Sequence, residues 1–389
     1  MNDFKRLVKG VIISFAVFSL SLLPLAAQSD VGNIKCTLKG VVKDRPQSSR
    51  LVLLKEGENM RFTQGISIPI NDGEFEYTFY CDYEELYQLV FADENDQGAW
   101  RPIQFISEHG VVNFTLHPIN QFDMNIVEGG VLNKEYWDFQ IEGIRKQVNL
   151  MEEMNTKIEQ LSKEITDIAS VAKALQDSLM RELSLWILQY AEERPTIVGY
   201  SILVFAKDLF MPLNDISPIV NVYQTIFAAN FPNHPYTAKM INFFRSSSLN
   251  AGVEFIDFTA VDFNGKTVKL SERIAGKLTV IHLWASWCIP CRQKGKELIP
   301  VYEEFRDKGF LVIGVARERG SSDAAEAAVK LDKYPWENFV ELNDAEQIWE
   351  KYGIGNAAGS HFLIDEKGTI IAIAPSIEEI RDLLAKELK

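Results

Sequence analysis

The apolar run Leu278–Ala285 (LTVIHLWA) leads at once into Cys288-Ile289-Pro290-Cys291, and that junction leaves few folds open. A stretch so uniformly apolar reads as a strand covered on both faces. The two cysteines then open a helical pattern, with Pro290 suited to a first turn, where its missing N–H costs little. At a helix start the unpaired backbone N–H groups and the dipole favour a thiolate. Arg292, Lys294 and Lys296 add positive charge just beyond. Two intervening residues keep the second sulfur close enough to close a ring with the first. Cys288, at the helix end and nearer solvent, is expected to be the attacking thiolate, and Cys291, one turn in, the resolving thiol. A CxxC is also half a zinc site, but zinc ordinarily takes two more ligands and no second pair exists, so no metal or other cofactor is expected. A purely structural disulfide would be strained at this spacing.

The rest of the 389 residues is too long for one ordinary domain. Residues 30–120 carry short apolar or period-two runs between turn signals: IKCTLKGVV, RLVLLKE, GEFEYTFYC, YQLVFAD, PIQFIS and VVNFTLH. That pattern predicts an antiparallel β-sandwich or barrel. Asn71-Asp72-Gly73 is a turn signal within it. From Ile144 to Leu179 apolar residues recur at spacings of three and four, predicting one long helix or a broken pair. The stripe packs on the protein's own domains or forms a homodimer seam through residues 144–179. After about residue 253 strands and helices alternate, as in an α/β domain. Glu366-Lys367-Gly368 reads as a hairpin turn, and Ser376 with Glu379 as a capping box. The expected organisation is therefore residues 1–27, a β-sandwich at 28–125, a helical region at 126–246 and an α/β domain at 247–389.

Residues 1–27 read as a secretory signal peptide. Lys5, Arg6 and Lys9 precede the uncharged run Val11–Ala27, and cleavage is expected near Ala27. An uncleaved anchor is the alternative. Export would place the chain in the periplasm, where cysteine pairs can oxidise. Cys36 and Cys81, on predicted strands, are either free buried thiols or a disulfide. The net charge of −14 argues against a nucleic-acid partner, which needs a basic face to meet phosphates.

The segment KLTVIHLWASWCIPCR resembles the thioredoxin superfamily, and in detail its exported TlpA- and ResA-like thiol–disulfide oxidoreductases. FIDFTAVDFNGKTVKLSE, FLVIGVA, Pro335-Trp336 and HFLIDEKGTIIA match as well, so the resemblance spans about residues 253–389. It implies a mixed sheet with helices on both faces, Cys288 as nucleophile and Cys291 as resolving thiol. It further implies protein thiols or disulfides as partners, a separate electron donor, and substrate contacts at Trp287, Pro290, Gly359 and Ser360. The strand-rich and helical segments ahead of it resemble the N-terminal region of similar bacterial envelope proteins.

Three positions depart from that pattern. The family places a cis-proline where this chain has Gly359, and a cis bond without proline is costly. Lys294 stands where ResA-like members carry a glutamate. His282 aligns with the buried acid of ordinary thioredoxins; it is either a buried core histidine or a base that deprotonates Cys291. His361, beside the Gly359 loop, is a strand residue or a metal or substrate contact. Peroxidase chemistry is disfavoured, because Ala285 and Ile281 occupy the positions where a peroxidatic site needs Thr or Ser and proline. The reading is an exported oxidoreductase, with reductase activity favoured; a scaffold protein with a degenerate thioredoxin-like domain is the rival.

Overall fold

A computed structural model describes residues 32–58, 63, 65–161, 168–207, 209–210, 215–355 and 358–388. The leader expected at residues 1–27 lies outside the described residues. No described helix is long and apolar enough to cross a membrane.

The N-terminal region holds β1 (Ile34–Val42), β2 (Arg50–Lys55), β3 (Ile66–Pro69), β4 (Glu74–Cys81), β5 (Leu86–Phe91), α1 (Ala92–Asp96), β6 (Ile103–Ile106), β7 (Gly110–Leu116) and β8 (Ile126–Glu128). They form two four-stranded sheets, ordered β4-β1-β7-β8 and β3-β2-β5-β6. Inward side chains of both sheets, among them Leu38, Phe79, Phe105 and Phe114, make one apolar cluster. The expected pairing is antiparallel throughout, but β1 and β7 run parallel. The Asn71-Asp72-Gly73 turn crosses between the sheets, with Asp72 and Gly73 both at positive φ, where glycine has no Cβ to clash. Cys36 pairs with Phe79 and Cys81 with Ile34, so the two cysteines are diagonal neighbours on one face, and both are free thiols.

The helical region comprises α2 (Val131–Leu161), α3 (Ile168–Glu193), α4 (Ile197–Phe205), α5 (Ser217–Val222), α6 (Ala228–Asn230) and α7 (Pro235–Ser247). The long stripe is thus a helix pair. Phe139 stacks on Trp186 with centroids 5.2 Å apart, so α2 and α3 fold back on each other as a hairpin. Near its base the pair is covered by the protein's own core, but Ile144, Val148 and Met151 are 63%, 47% and 44% exposed. Asn133 Oδ1 accepts from Ile106 N–H at 2.9 Å, and the Tyr236 hydroxyl accepts from Leu86 N–H at 2.6 Å; these bonds tie the helices to the second sheet.

The C-terminal region contains β9 (Thr259–Val261), β10 (Thr267–Lys269), β11 (Leu278–Trp284), α8 (Ile289–Phe305), β12 (Phe310–Glu318), α9 (Asp323–Asp332), β13 (Glu337–Leu342), α10 (Ile348–Lys351), β14 (Ser360–Asp365), β15 (Ile370–Ile373) and α11 (Ile377–Glu387). Its seven-stranded sheet is ordered β10-β9-β13-β12-β11-β14-β15. β11 pairs in parallel with β12 and antiparallel with β14, and every residue of it is buried, as its composition requires. The β14–β15 hairpin and the Ser376–Glu379 capping box form where expected.

Candidate active site

β11 ends at Trp284 and α8 begins five residues later, so the cysteines stand at the helix start. Cys288 is the N-cap residue, with extended backbone, and its sulfur accepts the Cys291 N–H at 3.3 Å. The proline next in line supplies the first-turn geometry. Cys288 and Cys291 are joined as a disulfide.

The expected exposure of Cys288 is not met, since Cys288 and Cys291 are only 2% and 3% exposed. The reason is long-range packing that no local pattern announces. Trp287 leans on Trp349 of α10, with centroids 5.9 Å apart, and Gly359 lies against Cys291. Around the buried pair, Trp287, Ile289 and Pro290 form an exposed and largely apolar rim. Trp284 is core, wholly buried among aromatic neighbours.

A buried carboxylate holds the turn ahead of Cys288. Glu318, at the end of β12, accepts the Ser286 N–H at 2.7 Å and the Ser286 hydroxyl at 2.9 Å. Burial pushes the Glu318 carboxyl above its usual range. Sequence reasoning missed this residue; its signal is a charge closing the apolar run Phe310–Ala316.

Beneath the cysteines lie two histidines. His282 on β11 and His361 on β14 are register partners. His282 is enclosed by Trp284, Tyr334 and Trp336, and its Cε1 lies 2.8 Å from where a Cβ on Gly295 of α8 would stand. Burial holds its pKa well below the usual imidazole value, and the neighbouring His361 and Lys294 push the same way. The Cys291 backbone alone favours its charged form. Burial likewise pushes His361 down to about 4. Both rings are therefore neutral at pH 7. His361 is inward and 2% exposed, so it makes no outward substrate contact.

Gly359 occupies the position opposite the disulfide. It precedes the last ladder pair, Leu283–Ser360, and a Cβ on it would run into the Leu283 carbonyl. Its N–H points inward and donates to Cys291 Sγ at 3.0 Å. Both Gly359 and Ser360 are half-buried. No group of three or more His, Cys, Asp or Glu able to hold a metal occurs among the described residues. A cleft of about 790 Å³ opens beside the site between all three regions, lined among others by Lys55, Tyr236, Arg317 and Trp349.

Residues 251–373 match the AhpC/TSA family model. The chain is 27% identical over 125 residues to the thiol–disulfide oxidoreductase ResA of Bacillus thuringiensis, covering 32% of this chain and 68% of that protein. It is 25% identical over 139 residues to ResA of Bacillus subtilis, covering 36% and 74%. A solved thioredoxin domain of a thiol–disulfide oxidoreductase from Bacteroides vulgatus is 26% identical and covers 36% of this chain and all of that one, with a TM-score of 0.33. A buried strand running into a disulfide at a helix start, together with the AhpC/TSA match and the ResA relatives, supports a TlpA/ResA-like thioredoxin-superfamily domain over residues 251–373 with thiol–disulfide oxidoreductase activity.

Proposed function

We propose that the chain is an exported enzyme that exchanges disulfides with partner proteins through Trp287-Cys288-Ile289-Pro290-Cys291, working as a reductase. The observation that carries this reading is Cys288 at the N-cap of α8 with its sulfur accepting the Cys291 N–H, because that position favours a thiolate. The reduced Cys288 thiolate attacks one sulfur of a partner disulfide. The partner's S–S bond breaks, one partner thiolate leaves and takes up a proton, and a mixed disulfide remains. Cys291 then loses its proton and attacks Cys288 Sγ, releasing the second partner thiol and leaving the Cys288–Cys291 disulfide. Two electrons pass to the partner, and a separate donor must return them.

His282 acts in this scheme as acceptor of the Cys291 proton. Its place against the Cys291 backbone supports the role, and a thiolate beside it would offset the burial that keeps it neutral. The apolar rim of Trp287, Ile289 and Pro290 suits a protein partner, with Gly359 and Ser360 at its edge. The basic, then uncharged, start of the sequence supports export to the periplasm. The sheets ahead of the helices read as a β-sandwich, and the exposed stripe of α2 as a homodimer seam.

The deciding experiment equilibrates the full chain in glutathione or dithiothreitol buffers and reads the Cys288/Cys291 couple. A reversible two-electron couple near about −250 mV or below is expected of a reductase. A value nearer about −120 mV would make it a disulfide donor instead. The absence of any reversible couple would end the enzyme reading.

A further inference from the structure

We propose that the backbone N–H of Gly359 is the thiolate donor for Cys291, so that this one amide sets the acidity of the resolving sulfur. The inference rests on the reading of Cys291 as the resolving thiol and names how that thiol is activated.

Cys291 lies in the apolar core of its domain. Removal from water disfavours a thiolate. In the same chain, burial pushes the Cys36 thiol up to about 12. A resolving thiol left in that condition would be almost wholly protonated at pH 7, and only the thiolate attacks. Something must therefore favour the charged form at Cys291.

His282 and His361, from β11 and β14, are both held neutral by burial. Lys294 and Lys296 of α8 are exposed, so water screens them. The Cys291 N–H itself is directed to Cys288 Sγ. Gly359 N–H, at 3.0 Å, is the donor aimed at Cys291 Sγ among the described residues. A hydrogen bond to an ionised acceptor is about twice as strong as one between neutral groups, so this contact strengthens when the thiolate forms.

The residue type follows from the geometry. The amide reaches the sulfur only because the chain packs against Leu283, where a Cβ would meet the carbonyl. Glycine is needed here for close approach, since its φ is not in the left-handed range. Proline could not do this work, having no N–H. The Gly359 amide is thus directed at Cys291 rather than outward to a partner.

The test uses the full chain with Cys288→Ser, which leaves Cys291 as the sole thiol at the site. Its thiolate is titrated by absorbance near 240 nm, with Cys288→Ser/Cys291→Ser as the blank. Adding Gly359→Pro removes the N–H, and it is compared with the Gly359 parent, because the Cβ of an alanine here would meet the Leu283 carbonyl and push the amide off the sulfur. The Pro variant is expected to hold about tenfold less thiolate than the Gly359 parent at any pH below both midpoints, a shift of about one unit. Equal midpoints would overturn the proposal. Should the Pro variant fail to fold, the amide proton of Gly359 is followed by NMR in the Cys288→Ser chain; it is expected to titrate with Cys291, and a pH-independent signal would overturn the proposal. Neither measurement involves turnover. A reversible couple in the unaltered chain with no effect of the amide would thus remove this inference and leave the oxidoreductase standing.

Discussion

His282 and His361 face each other across β11 and β14 with ring centroids 4.7 Å apart, both buried, and no ring nitrogen of either makes a well-formed hydrogen bond among the described residues. The burial that holds both rings neutral makes the fold sensitive to acid.

The sign follows from the direction of the shifts. His361 titrates near 4 in the fold and near 6.5 unfolded, so between those values the unfolded chain binds more protons. Its contribution is fully present above pH 6.5 and is lost as pH falls toward 4. Glu341 does the reverse: burial raises it to about 7, so its contribution is present below about 4.5 and lost as pH rises through 7. Replacing His361 by Phe removes only the first effect. Urea unfolding should show about 2 kcal/mol less stability loss between pH 7 and pH 5 in His361→Phe than in the unaltered chain. Parallel losses in the two chains would refute the assignment.

Cys291→Ser should stop the cycle halfway. The Cys288 thiolate can still attack, but nothing resolves the product. Reduced Cys291→Ser exposed to glutathione disulfide should retain one glutathione per chain at Cys288, seen by intact mass and removed by dithiothreitol. The unaltered chain should retain none, and Cys288→Ser should acquire none at the site. If Cys288→Ser trapped glutathione on Cys291 and Cys291→Ser did not, the roles of the two sulfurs would have to be exchanged.

What the sequence declares about this site is local. The buried strand, the Cys288/Cys291 helix start, the 366–368 hairpin and the Ser376 cap each depend on neighbours within a few residues, and each appears where its pattern lies. Strands β3 and β8 are too short to carry a period, and the parallel β1–β7 pair depends on distant chain order. The same holds at the site. His361 meets His282 only through the register of β11 on β14, and Glu318 meets Ser286 only because β12 lies beside β11. Cys288 is buried in one apolar cluster with residues such as Trp349 that are remote in sequence. Residue types were readable; which ones face each other was not.

Glu318 gives a third test, of positioning. Glu318→Ala leaves the Ser286 N–H and hydroxyl without their acceptor in a half-buried turn, at an expected cost of about 2 kcal/mol. Glu318→Gln keeps one acceptor oxygen and should lose about half as much. If the carboxylate positions the turn, the Ala variant should also shift the Cys288/Cys291 reduction potential, and the Gln variant should largely restore it. An Ala variant with unchanged stability and potential would reduce Glu318 to a bystander.

The outward face of α2 gives the last. Ile144, Val148 and Met151 recur at spacings of four and three, and all three are well exposed on a helix whose opposite side is engaged with α3. An apolar row of this kind meets water unless a second copy covers it. Light scattering on the chain lacking residues 1–27 should give twice the mass of one copy. Val148→Glu should return it to one copy, because a charge at the seam would be buried without a partner. The Cys288/Cys291 potential should not move, since Val148 lies on α2 in a separate region from the cysteines. A single-copy mass for the unaltered chain across the micromolar range would sink the seam and leave the row as plain surface.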